Sequence, residues 1–324
     1  MKFKIWPILL ATLALVALSV VFCAPFIWML STSLKVADHV QTDSADPIPK
    51  AWFIRHDGKI VRVRPLSHHH GQIQVQLMGQ SGKAKQTLSV PPKRLQDRVY
   101  LDWNNYRQGF AEFPFLRYLA NTLVICGLSV LGTVLSCSLV AYGLACIPWR
   151  GREALFWVML STMMIPGQVT MIPLFLLFKD FGWINTILPL VVPTFFANAF
   201  FVFLLRQFYR SVPPSLLEAA RLDGCSDFGI WARLIVPLSV PALMIVALFT
   251  FINSWNDFLN PLIYLMNDRK YTLSIGLTMF QGQYSSNWGP LMAMSLLMTL
   301  PIVILFFFTQ RAFIQGVKLS GVKG

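Results

Sequence analysis

Six long apolar runs constrain this chain more than any other feature of its sequence. They cover about Trp6 to Leu34, Leu119 to Pro148, Ala154 to Phe178, Ile187 to Leu205, Val236 to Met266 and Leu291 to Thr309. A helix needs about 20 mostly apolar residues to cross a bilayer. Lipid offers the backbone no hydrogen-bond partners, so only helices and closed barrels span it. These runs are continuously apolar and do not alternate in segments of about ten residues, which excludes a barrel. Charge agrees: 13% of residues are Asp, Glu, Lys or Arg, about half the share of a soluble domain. The chain reads as an all-α polytopic membrane protein with six transmembrane helices.

The first run is read as a retained helix. It is about twice the length of a signal-peptide core, and no small-x-small site closes it. Bulky Val21 and Phe22 before Cys23 argue against a lipoprotein. Basic residues set the orientation, because cytoplasmic loops hold their excess. Lys2, Lys4, Arg150, Arg152, Arg206, Arg210, Arg221, Arg233, Arg311, Lys318 and Lys323 fall on one side; the short loops opposite carry only Lys179, Arg269 and Lys270. Both termini are therefore expected in the cytoplasm. Cys23, Cys126, Cys137 and Cys146 lie in spans and Cys225 in a cytoplasmic loop, so they read as packing residues with no disulfide framework.

Between the first two spans, residues 35–115 are polar and extracytoplasmic in this reading. Ile60, Val61 and Val63 interleave with Arg62 and Arg64, and Ile73, Val75 and Leu77 alternate with Gln72, Gln74 and Gln76. Alternation signals half-buried strands, and Asp57-Gly58 and Ser81-Gly82 are turn dipeptides. Residues 51 to about 100 are expected to form a small antiparallel β module. His68, His69 and His70 read as a solvated turn, since three neighbours cannot all face one ion; no metal site is expected. No helix-turn-helix, zinc-finger or stacking motif accompanies the basic residues, so nucleic acid is not an expected partner.

The most informative segment is Ser215-Leu-Leu-Glu-Ala-Ala-Arg-Leu-Asp-Gly224, continuing to Leu234-Ile-Val-Pro-Leu238. It predicts an amphipathic helix, a break at Gly224, and a second helix entering span five at Pro237. Ser215 and Glu218 have the capping-box spacing, and a glycine can end a helix in the left-handed conformation.

At these residues the chain resembles the inner-membrane permeases of ABC importers. Their signature is Glu-Ala-Ala, three residues, Gly, nine residues, then aliphatic-x-aliphatic-Pro, and Glu218, Ala219, Ala220, Gly224, Leu234, Val236 and Pro237 match every spacing. Ile165-Pro-Gly-Gln-Val169, Asn185-Thr186, Leu204-Leu-Arg-Gln-Phe208, Trp255-Asn-Asp-Phe258 and the tail from Gly316 to Gly324 are similar to the carbohydrate branch, and most to the smaller permease of maltose-type systems. The resemblance covers roughly residues 1–35 and 110–324, and the β insert departs from it. It implies the type I importer permease fold in a bacterial inner membrane, with four further parties: a second homologous permease, an ATPase dimer, an extracytoplasmic sugar-binding protein and the bilayer. Glu218, Ala219, Ala220, Asp223, Gly224 and Pro237 would couple to the ATPase. That partner, not this chain, would bind ATP and Mg. No phosphate-binding Gly-Lys-Ser/Thr loop occurs here, and no catalytic residue, metal or cofactor is expected on this chain.

Asn253, Asn256 and Asp257 near the outer end of span five could line the translocation path or its gate, or make interhelical hydrogen bonds. Pro166, Gly167 and Pro173 could break or kink span three. Trp183, Trp255 and Trp288 are expected near the membrane surfaces. In the loop between spans five and six, Gln281, Gln283 and Tyr284 would meet the binding protein, or form an ordinary surface turn. The tail would reach the ATPase, or fray. The expected division is 1–34 for the N-terminus and first span, 35–115 for the insert, 116–309 for a five-span core with its loop 206–235, and 310–324 for the tail. A stand-alone ion-coupled transporter is the alternative, although Asp257 is its only plausible intramembrane acid and no clear repeat relates the halves.

Overall fold

The computed structural model describes residues 5–42, 46–56, 58–69, 72–78, 84–112, 114–281 and 287–321. They fall into two compact units, Met1–Phe113 with Leu277–Leu300, and Pro114–Gly276 with Pro301–Gly324.

The first unit opens with α1 (Ile5–Ser33), an apolar helix whose membrane-length segment is uncovered by the rest of the chain. After α2 (Ala37–Thr42) come β1 (Lys50–His56), β2 (Lys59–His69), β3 (Gln72–Met78), β4 (Ala84–Val90) and β5 (Gln96–Val99). All pair antiparallel in the order β4-β3-β2-β1-β5. A 3-10 turn at Pro92–Arg94 carries the chain from one sheet edge to the other, the connectivity of SH3-like small barrels. Alternation puts Ile54, Val63, Ile73, Val75, Leu77 and Val90 into one core. Asp57, His70 and the Ser81-Gly82 turn lie outside the described residues. His68 and His69 are not a turn: their backbone extends β2 opposite Ile73 and Gln72. Among the described residues no cluster of three His, Cys, Asp or Glu could hold a metal.

The module is tied to its own flanks. His39 of α2 stacks on Trp52 with ring centroids 3.9 Å apart, and Asp38 pairs with Arg64 at 2.9 Å. Asp46 pairs with Lys50, whose hydrogen bond holds the Asp46 carboxyl below its usual range. On α3 (Asn104–Glu112), the Asn105 amide donates to the Ser33 and Lys35 carbonyls at 2.9 and 2.8 Å. The last carbonyls of a helix have no partner within it, so Asn105 closes the end of α1.

The second unit begins with α4 (Phe115–Ala145), followed by α5 (Arg152–Ser161) and α6 (Gly167–Asp180). Next come α7 (Leu188–Val191), α8 (Ala199–Tyr209), α9 (Pro214–Leu222), α10 (Asp227–Ile230), α11 (Val236–Leu238), α12 (Val240–Asn256) and α13 (Leu259–Tyr264). Finally α14 (Leu273–Thr278) and α15 (Trp288–Gly321) run through residues of both units. The core of the second unit gathers Cys137, Ala141, Val202, Leu205, Trp231 and Val246. Inside it the Ser138 hydroxyl meets Tyr209 Oη at 2.7 Å and accepts from Trp231 Nε1 at 2.9 Å.

Two of the six expected spans are broken. Among the described residues four helical segments are long and apolar enough to cross a membrane, one of them, Leu188–Tyr209, interrupted at Ala197, and there are up to six if each of two bent pairs counts once. Run three bends by 96° between α5 and α6. The cause is Pro166, which drives Ile165 into extended backbone at ψ 115. Pro173 lies inside α6 without ending it. Run five bends by 81° at Ser239, between Pro237 and Pro241, and α12 stops at Asn256, ten residues before the expected end. α15 stays helical to Gly321, so Gly316 lies within a helix.

Two of the quoted motifs hold loops and buried charge. Asn185 adopts a left-handed φ of 62°, and its Oδ1 accepts from the Met266 and Asn267 amides at 3.2 and 3.1 Å. Arg206, counted above among the cytoplasmic basic residues, is 2% exposed. It donates to Glu153 at 2.5 Å and to the Leu144 carbonyl at 3.3 Å, and its guanidinium lies 3.9 Å from the Phe156 ring centre.

Candidate functional site

Within the second unit, α4, α7, α8 and α12 line an open cavity of about 570 Å³. Asn253, Asn256 and Asp257 all line it, joined by Thr133, Thr194, Asn198, Thr250, Ser254 and Asn260. Thr250, Asn253, Ser254 and Asp257 recur at i, i+3, i+4 and i+7, one face of a 3.6-period helix. That spacing is a signal by which Thr250 and Ser254 could have been found from sequence; they were missed because threonine and serine are common in spans. Thr250 is buried, and its hydroxyl finds no hydrogen-bond partner among the described residues.

Asp257 caps the end of α12. Its carboxylate accepts from the Asn260 backbone at 3.2 Å and side chain at 2.9 Å, and its carbonyl accepts from Ser274 Oγ at 2.7 Å. The carboxylate is thus held by a residue three positions on, without a partner from another span among these bonds. Asn256 donates to the Ile252 carbonyl at 2.9 Å, while Asn253 is exposed to the cavity.

The opposite wall is strained. Ala197 has φ 61 and ψ 147, a region occupied almost only by glycine, at a cost of roughly 1–3 kcal/mol. It is fixed by its amide bonding Ser136 Oγ at 3.2 Å, while Asn198 caps α8 by accepting from Phe200 and Phe201. Close packing adds to this: a Cβ on Gly132 would fall 2.5 Å from Thr194 Oγ1. Ala197→Gly is expected to stabilise the detergent-purified protein by about 1 kcal/mol, relief of strain outweighing glycine's backbone entropy. Thermal unfolding would measure it, and a lower melting temperature would refute the strain.

The second element is the loop from α9 to α12. The expected capping box does not form: α9 starts at Pro214 with Pro213 as cap and no side-chain bond, because Ser215 already lies inside the first turn. The other end behaves as expected. Gly224 takes φ +81, Cys225 N donates to Ala220 O at 3.0 Å and Gly224 N to Arg221 O at 3.0 Å. This paired closure is the Schellman motif. Ser226 then caps α10, accepting from Gly229 N at 3.2 Å. A π turn at Trp231–Ile235 leads to Pro237, two residues before the bend.

Leu217, Ile230 and Trp231 anchor the loop in the core. Glu218, Ala219, Asp223 and Gly224 are exposed. Ala220 is half-buried and packs inward, so only Ala219 of the pair offers a small outward surface. Sequence reading missed Leu222, 90% exposed, and Phe228, 66% exposed. They lie on either side of the Gly224 turn.

Of the loop residues named for a binding protein, Gln281 is exposed; Gln283 and Tyr284 lie outside the described residues. Trp288 is 46% exposed, as a belt residue would be, but Trp255 is 0% exposed and stacks on Phe251 at 5.3 Å. It belongs to the packing, not the membrane surface.

A polar cavity among membrane-length apolar helices and an anchored loop that exposes Leu222 and Phe228 suit a multi-pass transport subunit. Residues 134–319 match the family described as binding-protein-dependent transport system inner membrane component, and the chain belongs to that family. Its role is that of a transport component and not of an enzyme. The arabinooligosaccharides transport system permease protein AraQ of Bacillus subtilis (strain 168) is 37% identical over 249 residues, 76% of this chain and 88% of that protein. The polygalacturonan/rhamnogalacturonan transport system permease protein YtcP of the same organism is 32% identical over 220 residues, 62% of this chain and 76% of that one. A chain in the crystal structure of a bacterial ABC transporter that imports the acidic polysaccharide alginate has the same fold, with a TM-score of 0.70 at 21% identity over 95% of this chain and 96% of that one.

Proposed function

We propose that this chain forms half of the translocation pathway of an ATP-driven carbohydrate importer. The observation that carries the reading is the α9–Gly224–α10 loop, anchored on one side and exposing Leu222 and Phe228 among Glu218, Asp223 and Asp227 on the other, as a docking surface for a separate ATPase would. In this reading a second permease completes the pathway, an ATPase dimer binds ATP and Mg, and an extracytoplasmic binding protein delivers the sugar. The loop and both termini face the cytoplasm, the tail after Gly316 reaches towards the ATPase, and the β module lies outside. Relatives named for arabinooligosaccharides and polygalacturonan support an oligosaccharide as cargo. The hydroxyl- and amide-lined cavity suits hydroxyl-rich cargo, with Asn253, Asn256 and Asp257 as its contacts.

Leu222→Asp tests the loop. The side chain is 90% exposed, so stability of the isolated chain should change by no more than about 0.5 kcal/mol. If Leu222 anchors the ATPase, a loss of roughly 2 kcal/mol or more of docking energy is expected, seen as failure of the ATPase to co-purify. Unchanged co-purification together with unchanged sugar uptake would overturn the docking assignment.

A further inference from the structure

The carbonyl end of α4 is held by side chains from other parts of the chain. The last carbonyls of a helix have no partner within it, and they carry its partial negative charge. Trp149 Nε1 donates to the Gly143 carbonyl at 2.9 Å and Arg206 Nε to the Leu144 carbonyl at 3.3 Å. Arg221 Nη2 donates at 3.2 Å to the carbonyl of Cys146, the residue that ends α4. Of these three donors, only Arg221 belongs to the α9–α10 loop. The same guanidinium nitrogen lies 3.4 Å from Asp227 Oδ1 on α10, and the hydroxyl of buried Tyr142 on α4 donates to that oxygen at 3.4 Å as well. One turn further along, Trp231 Nε1 donates to Ser138 Oγ. Ser138, Tyr142 and Cys146 recur every four residues, so one face of α4 receives all three contacts.

Arg221 and Asp227 are 37% and 51% exposed, and a pair so wet adds little to stability. Leu217, Ile230 and Trp231 already anchor the loop. What the polar contacts add is direction. Apolar contact is indifferent to sliding, whereas hydrogen bonds to two points on α4 oppose any slip of the loop along the helix. From Cys146 the helix runs unbroken to Ser136, about 15 Å away. There Ser136 Oγ donates to the Thr194 carbonyl at 3.0 Å and accepts from the strained Ala197, and Thr133 lines the cavity itself. One rigid helix thus touches both the loop and the cavity wall. We propose that Arg221, Asp227 and Tyr142 are positioning residues that lock the docking loop to α4, so that displacement of the loop by the ATPase moves the cavity wall. The inference rests on the importer reading and adds to it the route by which docking reaches the cavity.

The test uses the complex purified with its ATPase, in a parent chain carrying Cys23→Ser, Cys225→Ser and, as a reporter exposed to the cavity, Asn253→Cys. Maleimide labelling of the reporter is timed with and without ATP and Mg, and labelling of the same chain without the reporter is subtracted. In the parent, nucleotide is expected to change the labelling rate at least about fivefold, the lower end of ordinary coupling between sites. Tyr142→Phe loses only a hydroxyl from a side chain too buried to touch the ATPase. It should leave melting temperature, ATPase co-purification and ATP hydrolysis near the parent's, while the nucleotide response shrinks at least about twofold. Asp227→Ala, on the half-exposed side of the contact, should shrink it as much or more. Combining the two should add nothing to Asp227→Ala, because the partner of the hydroxyl is already gone. A full nucleotide response in both single variants would overturn the lock, and so would loss of ATPase binding in Tyr142→Phe. A parent that binds the ATPase yet shows no response at the reporter would overturn the route alone. A parent that does not bind the ATPase would overturn the importer reading, and the lock with it.

Discussion

Gly224→Pro is expected to abolish sugar uptake while leaving the protein in the membrane at its normal level. Gly224 sits at φ +81, whereas proline fixes φ near −65° and has no amide to donate. The Gly224 bond to Arg221 O is lost outright, and the Cys225 bond to Ala220 O goes with the redirected chain. Each bond is worth about 1 kcal/mol, too little to unfold helices anchored through Leu217, Ile230 and Trp231. The larger consequence is geometric: α10 leaves α9 in a new direction, and the exposed Leu222 and Phe228 are displaced relative to each other. Gly224→Ala keeps the amide and costs roughly 1–2 kcal/mol for a left-handed alanine, so partial uptake should survive. Uptake into proteoliposomes, measured beside ATPase activity of the complex, separates these cases. Wild-type uptake by Gly224→Pro would sink the coupling assignment.

Trp255→Ala should be the most damaging single truncation near the cavity. The indole is fully buried and stacked on Phe251 with planes 20° apart. In water such a truncation costs about 3–5 kcal/mol. In a bilayer the unfolded helix is already solvated by apolar lipid, so the transfer part falls away and lost packing remains. A cost on the order of 2–4 kcal/mol is expected, with less for Trp255→Phe. Because Ser254, Asn256 and Asp257 flank Trp255 and line the cavity, transport should fall in parallel with stability. Unfolding in a denaturing detergent would measure the first quantity; a variant as stable as the parent would show that the indole is not a packing centre.

What the sequence determined by itself lies in features with a local period or a local chemistry. Runs of apolar residues fix where helices cross, since insertion depends on the composition of about 20 neighbours. Alternation at Ile73, Val75 and Leu77 fixes strands, because a pleat sends successive side chains to opposite faces. The Glu218-Ala-Ala…Gly224 spacing fixes a helix and its stop, because only glycine enters the left-handed region cheaply. Other features depended on residues far apart in the chain. That Pro166 produces a 96° break while Pro173 sits within a continuing helix depends on what surrounds each freed backbone group. Arg206 reads only as one more cytoplasmic basic residue until Glu153, Leu144 and Phe156 close around it. Trp255 reads as a belt residue until α12 turns it inward. Above all, the cavity joins Asp257 to Thr133, Thr194 and Asn198 from three other segments, and Ala197 is held in its strained conformation by a serine 61 positions away. Tertiary packing alone decides such convergence, because no local preference of either partner encodes the distance between them.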